Sequence, residues 1–183
     1  MDRVKILVLC GDVWHPPEVA REGLSALAGM EFMFDWIEDA REWTPEVMAD
    51  YPLVILTKSD NVSVTDKTSW MTDPVQAAFS AYVQQGNGLL AIHSGTAEYD
   101  QRPVIGSLLG GIFLHHPEQC SVTMSPRVDH PLCAGVAPFT LKDEHYFMSM
   151  YDPQVDVFMT TSSLTVNSLV RGDERWERDA WQF

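Results

Sequence analysis

An α/β fold built on a doubly wound, mostly parallel sheet is predicted by three features of the sequence. Val4–Cys10, Leu53–Leu56 and Leu89–Ile92 are short, nearly continuous apolar runs, as expected of strands buried on both faces. Between them lie segments with helical spacing, so that strand and helix alternate along the first half of the chain. Each run stops abruptly at small or polar residues, where a wound sheet presents its loops to a ligand.

In chain order, the first strand gives way to a loop, Gly11 to Pro16, and Pro17 suits the first turn of a helix running to about Ala28. Val19, Leu24 and Leu27 share one face of it. A second strand is expected over 31–36, a short helix over 45–50, and the third strand at Leu53–Leu56. Lys58 to Thr72 is long and polar, the kind of loop that is functional or hides a small element. Asp73 and Pro74 open a helix through Gln85, with Val75, Ala78, Phe79, Tyr82 and Val83 at helical spacing. Gly86 and Gly88 end it and deliver the Leu89–Ile92 strand. A further helix is expected from about Arg102 to Leu109. Beyond it the pattern turns to β, over 121–124, 139–141, 146–148 and 156–160. No repeat or linker interrupts the chain, so one domain spans 1–183, closing on a charged, solvent-facing stretch from Arg171 to Arg178.

Composition narrows the function. The 183 residues suffice for a sizeable core, and 45% hydrophobic with 21% charged residues is a globular balance. A net charge of −14 argues against nucleic acid and anionic membrane as partners. The longest apolar runs fall short of the roughly 20 residues of a membrane span. The N-terminus has no secretory h-region or cleavage site, and the three cysteines form neither a metal pair nor a disulfide framework. A cytoplasmic home is therefore expected. Trp43, Trp70 and Trp176, read as exposed, are candidates for a contact in a homo-oligomer, the alternative being that the six tryptophans simply pack within the domain.

The chemistry is expected at the end of the Leu89–Ile92 strand. Gly88–Thr96 (GLLAIHSGT) has the small-x-X-x-Gly spacing of a nucleophile elbow, with Ala91 and Gly95 as the small positions and His93 displayed. Histidine tolerates the positive φ of such a turn better than most residues. In a doubly wound sheet, His15 after the first strand and His93 after the central one fall on the same rim. The plain alternatives are a surface loop histidine for His15 and a hydrogen-bonded core histidine for His93. Tyr99, just past the turn, either lines the site as a sugar-binding hydroxyl or packs in a helix.

Four more segments add to this pattern: Leu109–Pro117 (LGGIFLHHP), Val128–Pro131 (VDHP), Gly135–Phe139 (GVAPF) and Lys142–Tyr146 (KDEHY). Together with Gly88–Ser94 they resemble the ThuA-like (trehalose-utilisation) family over roughly residues 3 to 160. The resemblance implies a flavodoxin-like domain of the class I glutamine amidotransferase-like fold and a link to sugar metabolism. It favours His116, of the His-Pro pair, over His115, and Glu144 with Tyr146 in the KDEHY segment. True class I amidotransferases display a cysteine where this chain has His93, so a Cys-dependent glutaminase is not expected. Relatives continue past a tryptophan like Trp181 into a glycine-rich strand, whereas this sequence stops at Phe183.

These residues support a carbohydrate-active enzyme, a hydrolase, isomerase or lyase acting on a sugar or keto-sugar. In it His93 and Glu144 are the catalytic acid–base groups, and His15, Tyr99 and Tyr146 bind substrate. His15, His93 and His116 are also a candidate ligand set for a divalent metal such as Zn. The alternative is a non-catalytic module that binds a small carbohydrate or metabolite. A third reading is an amidotransferase-like hydrolase with a substituted nucleophile.

Overall fold

Four parallel strands make the first sheet: β1 (Val4–Leu9), β2 (Phe32–Ile37), β3 (Leu53–Leu56) and β4 (Gly88–Ala91), in the order β2-β1-β3-β4. The computed structural model describes residues 3–29, 31–152, 154–163 and 181–182. It divides into two compact units, Met1–Ile112 and Phe113–Phe183. The first is a mixed α/β unit. Its chain turns from β1 to β2 on one side and returns to β3 on the other, so the strand order reverses between β1 and β3.

The apolar runs are continuous because both faces of this sheet are covered. Side chains alternate along a strand, so Leu7, Leu9, Val54 and Leu56 enter one core with Met48 and Phe79. Ile6, Val8, Cys10 and Ile55 enter the other, against Ala20 and Leu24 of α1 (Pro17–Leu24). The first core is closed by α2 (Pro45–Ala49), α3 (Asp73–Gln84) and α4 (Pro103–Leu109). Every one of these helices carries proline at its first or second position, where the missing N–H costs nothing. Thr44 caps α2 by accepting from the Val47 amide at 3.2 Å.

α1 ends four residues before the expected Ala28 and tightens into a 3-10 turn, Ser25–Leu27. There the Ser25 hydroxyl donates to the Glu22 carbonyl, a local bond that competes with helix propagation. The long Lys58–Thr72 loop contains no regular element but is largely buried. Asp60 organises it by accepting from the amides of Trp70 and Met71 and from the Arg102 guanidinium. Trp43 and Trp70, expected at the surface, are instead 8% and 6% exposed. They pack on Phe79, Trp43 stacked at 5.4 Å and Trp70 edge-on at 6.0 Å. They are core residues. Trp176 and the Arg171–Arg178 stretch lie outside the described residues.

The second unit is antiparallel. β6 (Cys120–Pro126) lies between β7 (Phe139–Asp143) and β9 (Met159–Ser163), and β10 (Trp181–Gln182) adds to the β9 side. β5 (Gly111–His115), on which the unit boundary falls, pairs with β8 (Phe147–Met150). β9 starts three residues later than the expected Asp156. The carbonyls of Val157 and Phe158 are taken by the Arg127 side chain and amide, so the ladder begins only at the Pro126–Met159 pair. Among the described residues no helix is long and apolar enough to cross a membrane.

Candidate functional site

Three loops at the carboxyl ends of β1, β3 and β4 build a polar site in the first unit. The β1 loop supplies Asp12, whose side chain is fully buried. Its Oδ1 accepts from the amides of Trp14 and His15 at 2.9 and 2.8 Å, and faces His15 Nδ1 at 3.0 Å. Its Oδ2 accepts from the Ser59 amide of the β3 loop at 3.0 Å. Burial alone would raise the carboxyl pKa. The bonds from the His15 ring and the Ser59 and Trp14 amides outweigh it and hold the group down at about 2. The buried Ser94 hydroxyl adds a weaker pull, although among the described residues it meets no partner of ordinary hydrogen-bond geometry.

That carboxylate therefore accepts and never donates at neutral pH, which fixes the proton of His15 on Nδ1. The far nitrogen, His15 Nε2, lies 3.1 Å from His93 Nε2, with the rings edge-to-face at 4.7 Å. Asp12, His15 and His93 thus form a continuous line of hydrogen-bonded groups from a buried anion to the β4 turn.

His93 reaches this position because β4 breaks into a tight 3-10 turn, His93–Thr96. His93 has φ +52°, the left-handed conformation expected of a displayed elbow residue. The turn sits so close to β3 that a Cβ on Gly95 would lie 1.9 Å from the Leu56 carbonyl oxygen. Only glycine fits. Glu98, five residues beyond His93, also has positive φ, +64°. Its carboxylate accepts from Trp14 Nε1 at 3.1 Å and from Asn61 Nδ2 at 3.2 Å, bridging the β1 and β3 loops.

Lys58 supports the site from below. It is 1% exposed, and its ammonium donates to the carbonyls of Gly11 and Val62 at 3.0 and 2.8 Å. Burial pushes its pKa down to about 8, against the pull of Asp12, Cys10 and Asp39. Burial likewise raises the Cys10 thiol to about 11, leaving it protonated at neutral pH.

The expected site residues fall into two groups. His15 and His93 meet in the first unit as described. Tyr99 does not line the site: it is fully buried, and its hydroxyl donates to the Lys58 carbonyl at 2.7 Å, so it holds the β3 loop from beneath. His116, Glu144 and Tyr146 come together in the second unit, with His116 Nε2 3.6 Å from Glu144 Oε2 and its ring stacked 5.8 Å from Tyr146. His115, the last residue of β5, instead contacts Phe147, with ring centroids 4.5 Å apart. Residues 144–146 are not strand, and His145 is buried, with its ring nitrogens facing the Ser163 and Thr161 hydroxyls.

Sequence reasoning missed Asp12, Lys58, Asn61 and Glu98. Asp12 had a readable signal, an aspartate three residues before a histidine in the loop leaving a buried strand. Nothing in the sequence marks Lys58 as buried or Glu98 as left-handed.

His15 and His93 offer two nitrogens at a spacing close to that of neighbouring ligands on one zinc ion, but a zinc site draws on about three or four protein ligands. Among the described residues no group of three or more His, Cys, Asp or Glu side chains is placed to hold an ion.

The family model for trehalose utilisation matches residues 5–179, nearly the whole chain. This protein is a member of the ThuA family. Its fold matches the crystal structure of a ThuA-like protein from Bacteroides uniformis, with a TM-score of 0.68 and 20% sequence identity over all of this chain and 74% of that one. At that identity the likeness speaks for the fold alone. No curated protein matches the sequence. Membership of the ThuA family supports a role in sugar metabolism.

One consequence of the site is measurable without a substrate. The folded pKa of Asp12 lies below the ordinary 3.8, so its stabilising effect is present above about pH 4 and is lost as pH falls through 2. The expected loss is on the order of 2 kcal/mol across that window. Denaturant melts from pH 5 to pH 2 check it: Asp12→Asn should start less stable and lose less on acidification than the wild type.

Proposed function

We propose that this ThuA-family protein is an enzyme acting on a sugar or keto-sugar derivative, with the Asp12–His15–His93 line as its general acid–base system. The single observation that carries this reading is the 3.1 Å approach of His15 Nε2 to His93 Nε2, backed by an anion that stays charged throughout the working pH range. With Asp12 fixing the His15 proton on Nδ1, His93 Nε2–H donates to His15 Nε2 in the neutral pair. His93 is then the group that exchanges a proton with substrate. Uptake there, with transfer of the Nε2 proton to His15, leaves the positive charge beside the Asp12 carboxylate, where the field favours it. Reversal of the same steps returns the proton to a leaving oxygen or a neighbouring carbon. Hydrolysis, isomerisation and elimination all use such a shuttle.

The position of the line at the strand ends supports the same reading. The order β2-β1-β3-β4 is that of the first four strands of a flavodoxin-like sheet, in which ligands bind beside the reversal between β1 and β3. His116 with Glu144 offers an imidazole–carboxylate couple within the second unit.

The test is turnover by the purified wild type of a panel of trehalose, other disaccharides and their keto derivatives, followed by product chromatography across pH 5–9. Product from at least one sugar, with a rate that rises through an ionisation in the histidine range, supports the enzyme. Sugar binding without product across the panel would overturn it in favour of a non-catalytic binding module.

A further inference from the structure

The β1 loop presents one large side chain that the acid–base line does not use. Trp14 is 65% exposed, whereas Trp43 and Trp70 are buried in the core. Exposing an indole on a strongly acidic surface forgoes the gain from burying it. Yet this indole is not loose. Its Nε1 donates to Glu98 at 3.1 Å, and its backbone amide donates to the Asp12 oxygen that faces His15. Glu98 is in turn held by Asn61 and by a left-handed backbone. Lys67 Nζ lies 6.0 Å from the ring centroid, at the outer limit of a cation–π contact. One edge of the ring is thus anchored and most of its surface is open, one residue from His15.

We propose that Trp14 is the stacking platform of the site, holding the apolar face of a pyranose ring against the indole, and that Glu98 is the residue that positions it. The inference rests on the reading of the site as a sugar site and names the substrate class as a pyranose. Sugar rings expose C–H groups on one face, and these pack against the negative face of an aromatic quadrupole. A ring fixed in advance spares the entropy of ordering a loose side chain when ligand arrives. The platform also accounts for the left-handed Glu98, which the acid–base chemistry leaves unexplained. In that conformation its two carboxylate oxygens hold the indole edge and the Asn61 amide at once.

Calorimetric titration of the full chain with glucose, maltose and trehalose tests the platform, comparing wild type with Trp14→Ala, Trp14→Phe, Glu98→Ala and Glu98→Gln. Trp14→Ala should weaken binding of the preferred sugar by about tenfold or more, while Trp14→Phe retains most of it. Glu98→Ala should weaken it by about threefold, and Glu98→Gln, which keeps an oxygen for the indole N–H, should restore it. Circular dichroism melts confirm that each variant is folded. Equal affinity of wild type and Trp14→Ala for a sugar that the wild type binds overturns the platform and leaves the acid–base reading standing. Affinity that depends on Trp14 in a protein that turns over none of these sugars upholds the platform and counts against the enzyme. Binding of none of the three by the wild type overturns the platform.

Discussion

His93→Ala is expected to lower turnover of whichever sugar the wild type converts by about 10²–10⁴-fold, the usual contribution of a positioned acid–base group. The same range is expected for His15→Ala, although His15 does not itself take the substrate proton in the proposed shuttle. His15 accepts the charge that would otherwise stay on His93, and without it that charge has no path to Asp12. Asp12→Asn is the sharper variant, since it keeps nearly the same shape while removing the anion. It also frees the His15 tautomer, because an amide can donate as well as accept. If the three groups act as one line, the losses will not add: Asp12→Asn combined with His15→Ala should be barely worse than His15→Ala alone. Turnover of the Asp12→Asn protein within a few-fold of wild type would sink the line, whatever His93 does.

Gly95→Ala should cost more stability than alanine at Gly11, Gly23, Gly29, Gly86 or Gly88. The new Cβ would sit 1.9 Å from the Leu56 carbonyl oxygen and 2.7 Å from its carbon, both of them backbone atoms of β3. Neither can swing away as a side-chain tip would. The Leu56 carbonyl also accepts from the Ile92 amide at 2.9 Å, so moving it breaks a bond that ends β4. A cost of about 3 kcal/mol is expected, the upper range for overpacking. In a chain of this size it corresponds to a fall of about 6–12 °C in Tm. Gly23→Ala in α1 is the control, because nothing lies within 4 Å of its new Cβ. It should raise stability by about 0.5–1 kcal/mol through helix propensity. Similar melts for the two variants would show that the β3–β4 approach is looser than described.

Most of the fold of the first unit was legible because it depends on local patterns. The strands at Val4–Leu9, Leu53–Leu56 and Gly88–Ala91 are unbroken apolar runs, and helices that open with Pro17, Pro45, Pro74 and Pro103 announce themselves. The left-handed His93 and the constraint on Gly95 were also readable, since a sharp turn after a buried strand leaves few residue types that fit. The errors arose where a local pattern meets a distant partner. Tryptophans in polar surroundings looked exposed, but Trp43 and Trp70 find Phe79 across the fold. Tyr99 looked like a binding hydroxyl, but its hydroxyl meets a carbonyl 41 residues away in the chain.

The sequence by itself determined the strand–helix alternation, the family pattern, and the placing of His15 and His93 at strand ends, because periodicity and turn chemistry are properties of neighbouring residues. Only the tertiary structure decided that Asp12 is pinned behind His15 by the Ser59 amide, that Lys58 is sealed beneath the loops, and that Glu98 carries Trp14. Each of these depends on a contact between loops 40 or more residues apart in the chain, which become neighbours only when β1, β3 and β4 line up side by side.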